Sequence, residues 1–324
     1  MIKVENLSKK YGSFEAVKNV SFSVGREQVL GFLGPNGAGK TTIMKMLTGY
    51  HFPFSGKVEI DGIPLEEAPL EIKKRIGYLP EANPLYGDLT PDEYLYFVAS
   101  SRMLGGTERK KALDAAISAC GLEGVRKQRI DSLSKGYKQR VGLAQAIVHD
   151  PPILILDEPT SGLDPNQIIE IRSLIMELGK RKTVILSTHI LQEVEAVCSQ
   201  VLILNEGRIA AQGTPAEIAA TIKSTSFGKD SWELFLKGAN PDNVETALAS
   251  LGRETGEHRI KALGDGIVQL DFSVEGSGTD SAYSLDGELI FDWAIKQGFK
   301  IIGMSRKKLS LEDIFVKLTS EETK

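Results

Sequence analysis

VLGFLGPNGAGKTTIMKMLTG, Val29 to Gly49, sets an apolar five-residue run, a glycine-rich loop and an apolar-periodic segment in that order. The first run suits a buried strand and the last segment a helix, so the loop is the turn between them. Its spacing is G-x-x-x-x-G-K-[ST], with strand and helix on the required sides. Gly34, Pro35, Asn36, Gly37, Ala38, Gly39, Lys40, Thr41 and Thr42 therefore read as a cradle for phosphate groups. Glycines let backbone N–H groups turn inward, the helix start adds its dipole, and Lys40 supplies a point charge for β- and γ-phosphates. Thr41 falls where a hydroxyl can ligate Mg²⁺.

Outward from this stretch, residues 1–221 alternate apolar runs with helical segments. Val29 to Leu33, Ile153 to Leu156, Thr183 to Ser187 and Val201 to Leu204 read as buried parallel strands, which makes this part α/β. From Thr90 to about Ala119 the rhythm breaks into helices without a strand, and a helical insert is expected over about residues 85–150. After Thr221 the polar stretch KSTSFGKDS reads as a linker into a second domain, 222–324. There the predicted order is strand (Trp232 to Lys237), helix (Pro241 to Leu251), two strands (Arg259 to Leu263, Ile267 to Val274), helix (Leu285 to Gln297) and strand (Phe299 to Ser305). This βαββαβ order predicts a small α+β, ferredoxin-like domain. The closing LSLEDIFVKLTS predicts a capping helix with Ser310 as N-cap and Asp313 at the capping-box position.

Over 324 residues, 41% are hydrophobic and 25% charged, the net charge is -4 and there are two cysteines. This is ordinary for a soluble protein of two domains, and the charge gives no electrostatic case for a nucleic-acid partner. No apolar run reaches 18 residues and MIKVENLSKKYGS carries no apolar signal core, so neither a membrane span nor secretion is expected. Cys120 and Cys198 stand far apart without ligand-like neighbours and read as buried thiols of a cytosolic protein.

Holding a triphosphate also takes a carboxylate for the metal, and hydrolysis takes a group that positions water. The apolar run ILIL ends in Asp157 and Glu158, at the carboxyl edge of a strand, where open α/β sheets bind ligands. Asp157 is expected to face the Mg²⁺, directly or through water, and Glu158 to polarise the attacking water. LSKGYKQR, Leu133 to Arg140, opens another apolar-periodic segment, with Ser134 as N-cap and a second anion-binding helix start. One phosphate loop already holds a triphosphate, so the second anion site asks for a second molecule.

With both loops and the Asp-Glu strand in order, residues 1–220 resemble the nucleotide-binding subunits of ATP-binding cassette (ABC) transporters, with Leu133 to Arg140 matching their signature. The resemblance implies a P-loop NTPase cassette that binds and hydrolyses ATP with Mg²⁺. It further implies a head-to-tail dimer, as a homodimer or with a related ATPase subunit, each ATP lying between the phosphate loop of one subunit and the signature of the other. Ser134 and Gly136 are then expected at the γ-phosphate across the interface. SGLDP, Ser161 to Pro165, resembles the D-loop, with Asp164 connecting the two sites. STH, ending in His189, resembles the switch histidine that contacts the γ-phosphate. Tyr11 in SKKYGSFEAVKNV matches the aromatic that stacks on adenine, with Val17 nearby. His51, His149 and His258 have no such context and read as surface or packing residues.

Two departures from the family pattern are local. GYLPE places Glu81 where most members carry glutamine, still a ligand for Mg²⁺ or its water, and Lys135 and Tyr137 vary the signature. LSKGYKQR, GYLPE and LSLEDIFVKLT together resemble the ATPases of drug, polysaccharide and gliding-motility exporters. A separate transmembrane permease is thereby implied, docked on about Tyr78 to Tyr96, with this subunit peripheral on the cytoplasmic face of the membrane. The competing class is a soluble mechanical ATPase of the same superfamily acting on ribosomes or DNA. DNA-repair relatives carry a long coiled coil between phosphate loop and signature, and translation relatives carry two cassettes; this chain has neither. A plain P-loop kinase or GTPase leaves the second anion site without a use. The second domain is open to three roles: dimer brace, ligand sensor or docking module.

Overall fold

The structure is a computed structural model describing residues 2–218, 230–251, 255–274 and 287–307. The chain divides into two compact units, whose described parts are residues 2–215 and 216–307.

The first unit carries two sheets. Strands β1 (Ile2–Tyr11), β2 (Phe14–Val24), β4 (Ser55–Ile60) and β5 (Ile63–Pro64) form an antiparallel sheet in the order β2-β1-β4-β5. The second sheet has six strands in the order β10-β9-β3-β8-β7-β6. Its members are β3 (Val29–Leu33), β6 (Ile76–Leu79), β7 (Ile153–Asp157), β8 (Thr183–Thr188), β9 (Gln200–Asn205) and β10 (Arg208–Gly213). All neighbours pair in parallel except β9 and β10. Every residue of β3, β7 and β8 is buried, as expected of parallel strands covered on both faces.

Helix α1 (Lys40–Leu47) runs between the sheets. Its Ile43, Met44, Met46 and Leu47 share one core with Val4, Leu7 and Phe22 of the first sheet and Phe32, Ile155 and Leu202 of the second. A helix of eight residues is stable only when its apolar face is buried like this. Helix α2 (Pro69–Arg75) precedes β6. The break in the α/β rhythm is helical, with α3 (Pro91–Ser101), α4 (Gly106–Ala119) and α5 (Lys135–Ile147). Thr90 and Glu93 close the start of α3 as a reciprocal capping box, with Pro91 at the first helical position. Helices α6 (Pro165–Gly179) and α7 (Leu191–Val197) follow β7 and β8.

Register positions the chemistry. Leu33 pairs with Thr188 and Asp157 with Ser187. The ends of β3, β7 and β8 thus lie side by side, and the segments leaving them open onto one carboxyl edge.

The second unit runs β11 (Asp230–Lys237), α8 (Pro241–Leu248), β12 (Thr255–Gly264), β13 (Ile267–Val274), α9 (Gly287–Lys296) and β14 (Lys300–Lys307). Its sheet order is β12-β13-β11-β14, with every neighbouring pair antiparallel. Leu234, Leu236, Val268 and Leu270 of the sheet pack against Val244, Leu248, Ile290 and Trp293 of the helices, so this unit has its own core. The helix expected over Pro241 to Leu251 is α-helical to Leu248, and a 3₁₀ turn covers Ala249–Leu251. The expected capping helix with Ser310 and Asp313, and most of the expected linker, lie outside the described residues.

Candidate functional site

The carboxyl edge of the six-stranded sheet gathers three loops. After β3 the chain turns through Gly37 and Gly39, at φ 85° and 100°, conformations natural to glycine. A Cβ at Gly39 would lie 2.7 Å from Ala16 O, so this residue is held by space as well as by backbone angle. No side-chain cap closes the start of α1, which leaves its first N–H groups to serve an anion. Ala38 is buried, while Asn36 and Gly37 are exposed. Lys40 is 6% exposed; its ammonium donates to Gly34 O at 2.7 Å and Pro35 O at 3.3 Å.

At the end of β7 stand the two carboxylates, Asp157 as its last residue and Glu158 just beyond it. Asp157 is fully buried and its Oδ1 accepts from Ser187 Oγ at 2.6 Å and from Thr41 Oγ1 at 3.2 Å. Burial pushes this carboxyl above its ordinary range, partly offset by those two hydroxyls, and the charge of Glu81 adds to the upward push. Asp157 Oδ2 is buried without a hydrogen-bond partner among the described residues. An unpaired buried carboxylate oxygen is costly, and beside a threonine hydroxyl it forms a hard oxygen pair suited to Mg²⁺. Among the described residues no group of three or more His, Cys, Asp or Glu side chains comes together to hold a metal.

Glu158 sits at φ 48°, a left-handed conformation that costs a non-glycine residue energy and that clusters at functional sites. Its N–H donates to Ser187 Oγ at 3.0 Å, which fixes the turn. The side chain, 8% exposed, has Lys40 Nζ 3.5 Å from Oε1 and His189 Nδ1 3.0 Å from Oε2. Burial raises the proton affinity of Glu158, while Lys40 and His189 oppose the rise. A carboxylate tuned upward in a pocket, held from two sides, is suited to accept a proton near neutral pH.

The signature segment builds a second helix start. Ser134 is the N-cap of α5, its hydroxyl accepting from Tyr137 N at 3.4 Å. Gly136 is buried, and a Cβ there would come 2.5 Å from Gln167 Cδ, so α5 and α6 approach closely at this point. Asp164 caps α6 by accepting from Gln167 N at 3.0 Å. Gln139 Nε2 donates to Pro159 O at 2.8 Å, tying the signature helix to the turn after Glu158. Glu81, exposed beyond β6, lines a cleft of about 360 Å³ with Lys135, Lys138 and Gln139. Tyr11, at the end of β1, is 44% exposed and Val17 is fully buried.

Lys40, Thr41, Asp157, Glu158 and His189 are thus joined by direct contacts at one edge, while Ser134, Gly136 and Asp164 form a separate cluster on α5 and α6. Comparison with known proteins gives the family. The family model described as ABC transporter matches residues 17–161. The bacitracin transport ATP-binding protein BcrA of Bacillus licheniformis is 34% identical over 98% of this chain and 97% of its own. The chain belongs to the ABC transporter ATP-binding family. The Nod factor export ATP-binding protein I of Paraburkholderia xenovorans is 32% identical over 99% of this chain and 97% of its own. Among solved structures, the dimeric ATP-binding cassette MJ0796 in a post-hydrolysis state with ADP and Pi overlays with a TM-score of 0.61 at 27% identity, over 66% of this chain and 98% of that one. The cassette fold is therefore the family's, and this subunit is an ATP-binding ATPase.

Sequence reasoning missed Ser187. Its hydroxyl donates to Asp157 and accepts from the Glu158 N–H, so one buried side chain sets both carboxylates. The only signal was a serine at the end of a buried strand, two residues before His189, with no spacing rule to single it out.

Proposed function

We propose that this ATPase powers an exporter-type transporter whose transmembrane permease is a separate chain. Subunits of this family dimerise and work with transmembrane components, and two relatives matched over nearly their whole length are named for bacitracin transport and Nod factor export. No described helix is long and apolar enough to cross a membrane. On this reading the subunit sits on the cytoplasmic face, docked through about Tyr78 to Tyr96, with no nucleic-acid partner.

The observation that carries the chemistry is the Glu158 carboxylate fixed between Lys40 and His189 beside the unpaired oxygen of Asp157. Gly34 to Thr42 hold the phosphates, and Tyr11 stacks on adenine. Thr41 and Asp157, with Glu81 acting directly or through water, would hold Mg²⁺, which supplies charge neutralisation at the phosphate oxygens. Glu158 takes a proton from the water whose oxygen attacks the γ-phosphorus as the bond to ADP breaks. His189 orients that carboxylate and reaches the γ-phosphate. Ser134 and Gly136 complete the partner subunit's site in a head-to-tail dimer, and Asp164 links the two sites. The domain after about Thr221, ferredoxin-like in its βαββαβ order, braces the dimer.

The test is co-purification of tagged Glu158→Gln from detergent-solubilised native membranes with and without Mg-ATP. Recovery of a polytopic membrane protein is the expected result. Recovery of ribosomal or DNA-associated proteins alone would overturn the exporter reading in favour of a soluble mechanical ATPase.

A further inference from the structure

The helix that starts at the phosphate loop also ends at the base site. Beyond the last turn of α1, Tyr50 N and His51 N both donate to Lys45 O, at 2.9 and 3.0 Å, so these residues are fixed to the helix. The segment that follows is fixed to β1: Lys9 Nζ donates to Phe52 O at 2.6 Å and Phe54 N to Ser8 O at 2.8 Å. Between these anchors the His51 ring meets Tyr11, centroids 5.9 Å apart and planes at 76°. Tyr50 meets His51 in turn at 5.3 Å and 69°. Both are edge-to-face arrangements, the favoured geometry for paired rings.

Tyr11 needs such support. It ends β1 where the strand turns back through Gly12 into β2, pairing Tyr11 with Phe14. A half-exposed side chain at a hairpin tip spends its time among several rotamers. To receive a planar base it must present one face, and ordering it on binding would subtract from affinity.

We infer that His51 is a positioning residue that holds the Tyr11 ring for the nucleobase and couples it, through α1, to the phosphate loop. The inference rests on the reading of Tyr11 as the base-stacking residue. His51 is well suited to this as a neutral ring: burial, with Lys9 and Lys45 close by, disfavours its protonated form.

The test is calorimetric binding of ATP, ADP and inorganic tripolyphosphate to the full chain and to Tyr11→Ala, His51→Ala and His51→Phe. Losing one edge-to-face pair is expected to weaken ATP and ADP roughly threefold to tenfold in His51→Ala. Tripolyphosphate, which has no base, is expected to bind that variant as it binds the unaltered chain, and His51→Phe to restore ATP affinity. If Tyr11→Ala loses ATP affinity and His51→Ala does not, His51 has no positioning role. Equal loss of ATP and tripolyphosphate in His51→Ala would overturn the inference by placing the effect at the phosphate loop. A Tyr11→Ala chain that binds ATP normally would sink the base-stacking reading and the inference with it.

Discussion

His189 Nδ1 lies 3.0 Å from one oxygen of Glu158, and the opposite oxygen lies 3.5 Å from Lys40 Nζ. The carboxylate is held from two sides while burial raises its readiness to take up a proton, which together are what a water-activating base requires. Glu158→Gln keeps the shape and removes the proton acceptor. Turnover is expected to fall roughly 10²- to 10⁴-fold, with ATP binding retained and the ATP-bound dimer accumulating. Phosphate release and gel filtration with ATP measure both; turnover at the unaltered rate would remove Glu158 from this role.

Lys40 reaches three oxygen partners, two loop carbonyls and Glu158, while staying 6% exposed. Lys40→Ala removes the charge offered to the phosphates. ATP affinity is expected to fall roughly tenfold to a hundredfold, the range of one charge-assisted hydrogen bond. Calorimetry decides it, and undiminished affinity would contradict the phosphate role.

Asp157 makes the acid limb of activity and the stability of the chain move in opposite directions. Burial sets its folded pKa above the unfolded value. Its contribution to stability is therefore fully present below the unfolded value and is lost as pH rises through the folded one. At neutral pH the ionised buried carboxylate is a cost, so Asp157→Asn is expected to raise the melting temperature without nucleotide. That gain is expected to shrink as pH falls toward 4, the ordinary carboxylate range. Calorimetric scans across that range test it; equal melting temperatures at pH 7 would show that this carboxylate carries no such cost.

Ser187→Ala removes the 2.6 Å hydrogen bond that favours the ionised Asp157 and the acceptor of the Glu158 N–H. The Mg²⁺ concentration for half-maximal turnover is expected to rise roughly tenfold to a hundredfold, the usual cost of losing a residue that orients a metal ligand. The acid limb is expected to move to higher pH, since Asp157 loses a group that lowers its pKa. An unchanged Mg²⁺ requirement would reduce Ser187 to a packing residue.

Legibility followed how local the cause was. The phosphate loop was readable because its backbone angles, charge and flanking elements all lie within Val29 to Leu47. Asp157 and Glu158 were readable as the polar end of a buried run. The antiparallel sheet built on β1 was not, because register shifts between Val4 and Leu7, with Asn6 at φ 49°, break the two-residue alternation. Ser187 and His51 were not, because their importance comes from partners 30 and 40 positions away, Asp157 and Tyr11.

The second unit has its own core, yet α9 leaves Leu289, Phe291 and Ile295 at 51%, 51% and 59% exposure. Beside them in the sequence, Ile302 and Met304 of β14 are 55% and 40% exposed. Exposed apolar side chains in this number on one helix and one strand give the second unit apolar surface to place in a contact, which is what a brace between subunits requires. Truncation after Thr221 is expected to weaken ATP-dependent dimerisation of Glu158→Gln about tenfold or more, the weight of one interface anchor. ATP affinity of the monomer is expected to stay as it was, since the phosphate loop lies wholly in the first unit. Phe291→Asp in the full-length chain separates lost surface from lost mass, and sedimentation equilibrium reads the dimer constant. If both variants dimerise like the parent, the brace role fails and the exposed α9 side chains must serve a different partner.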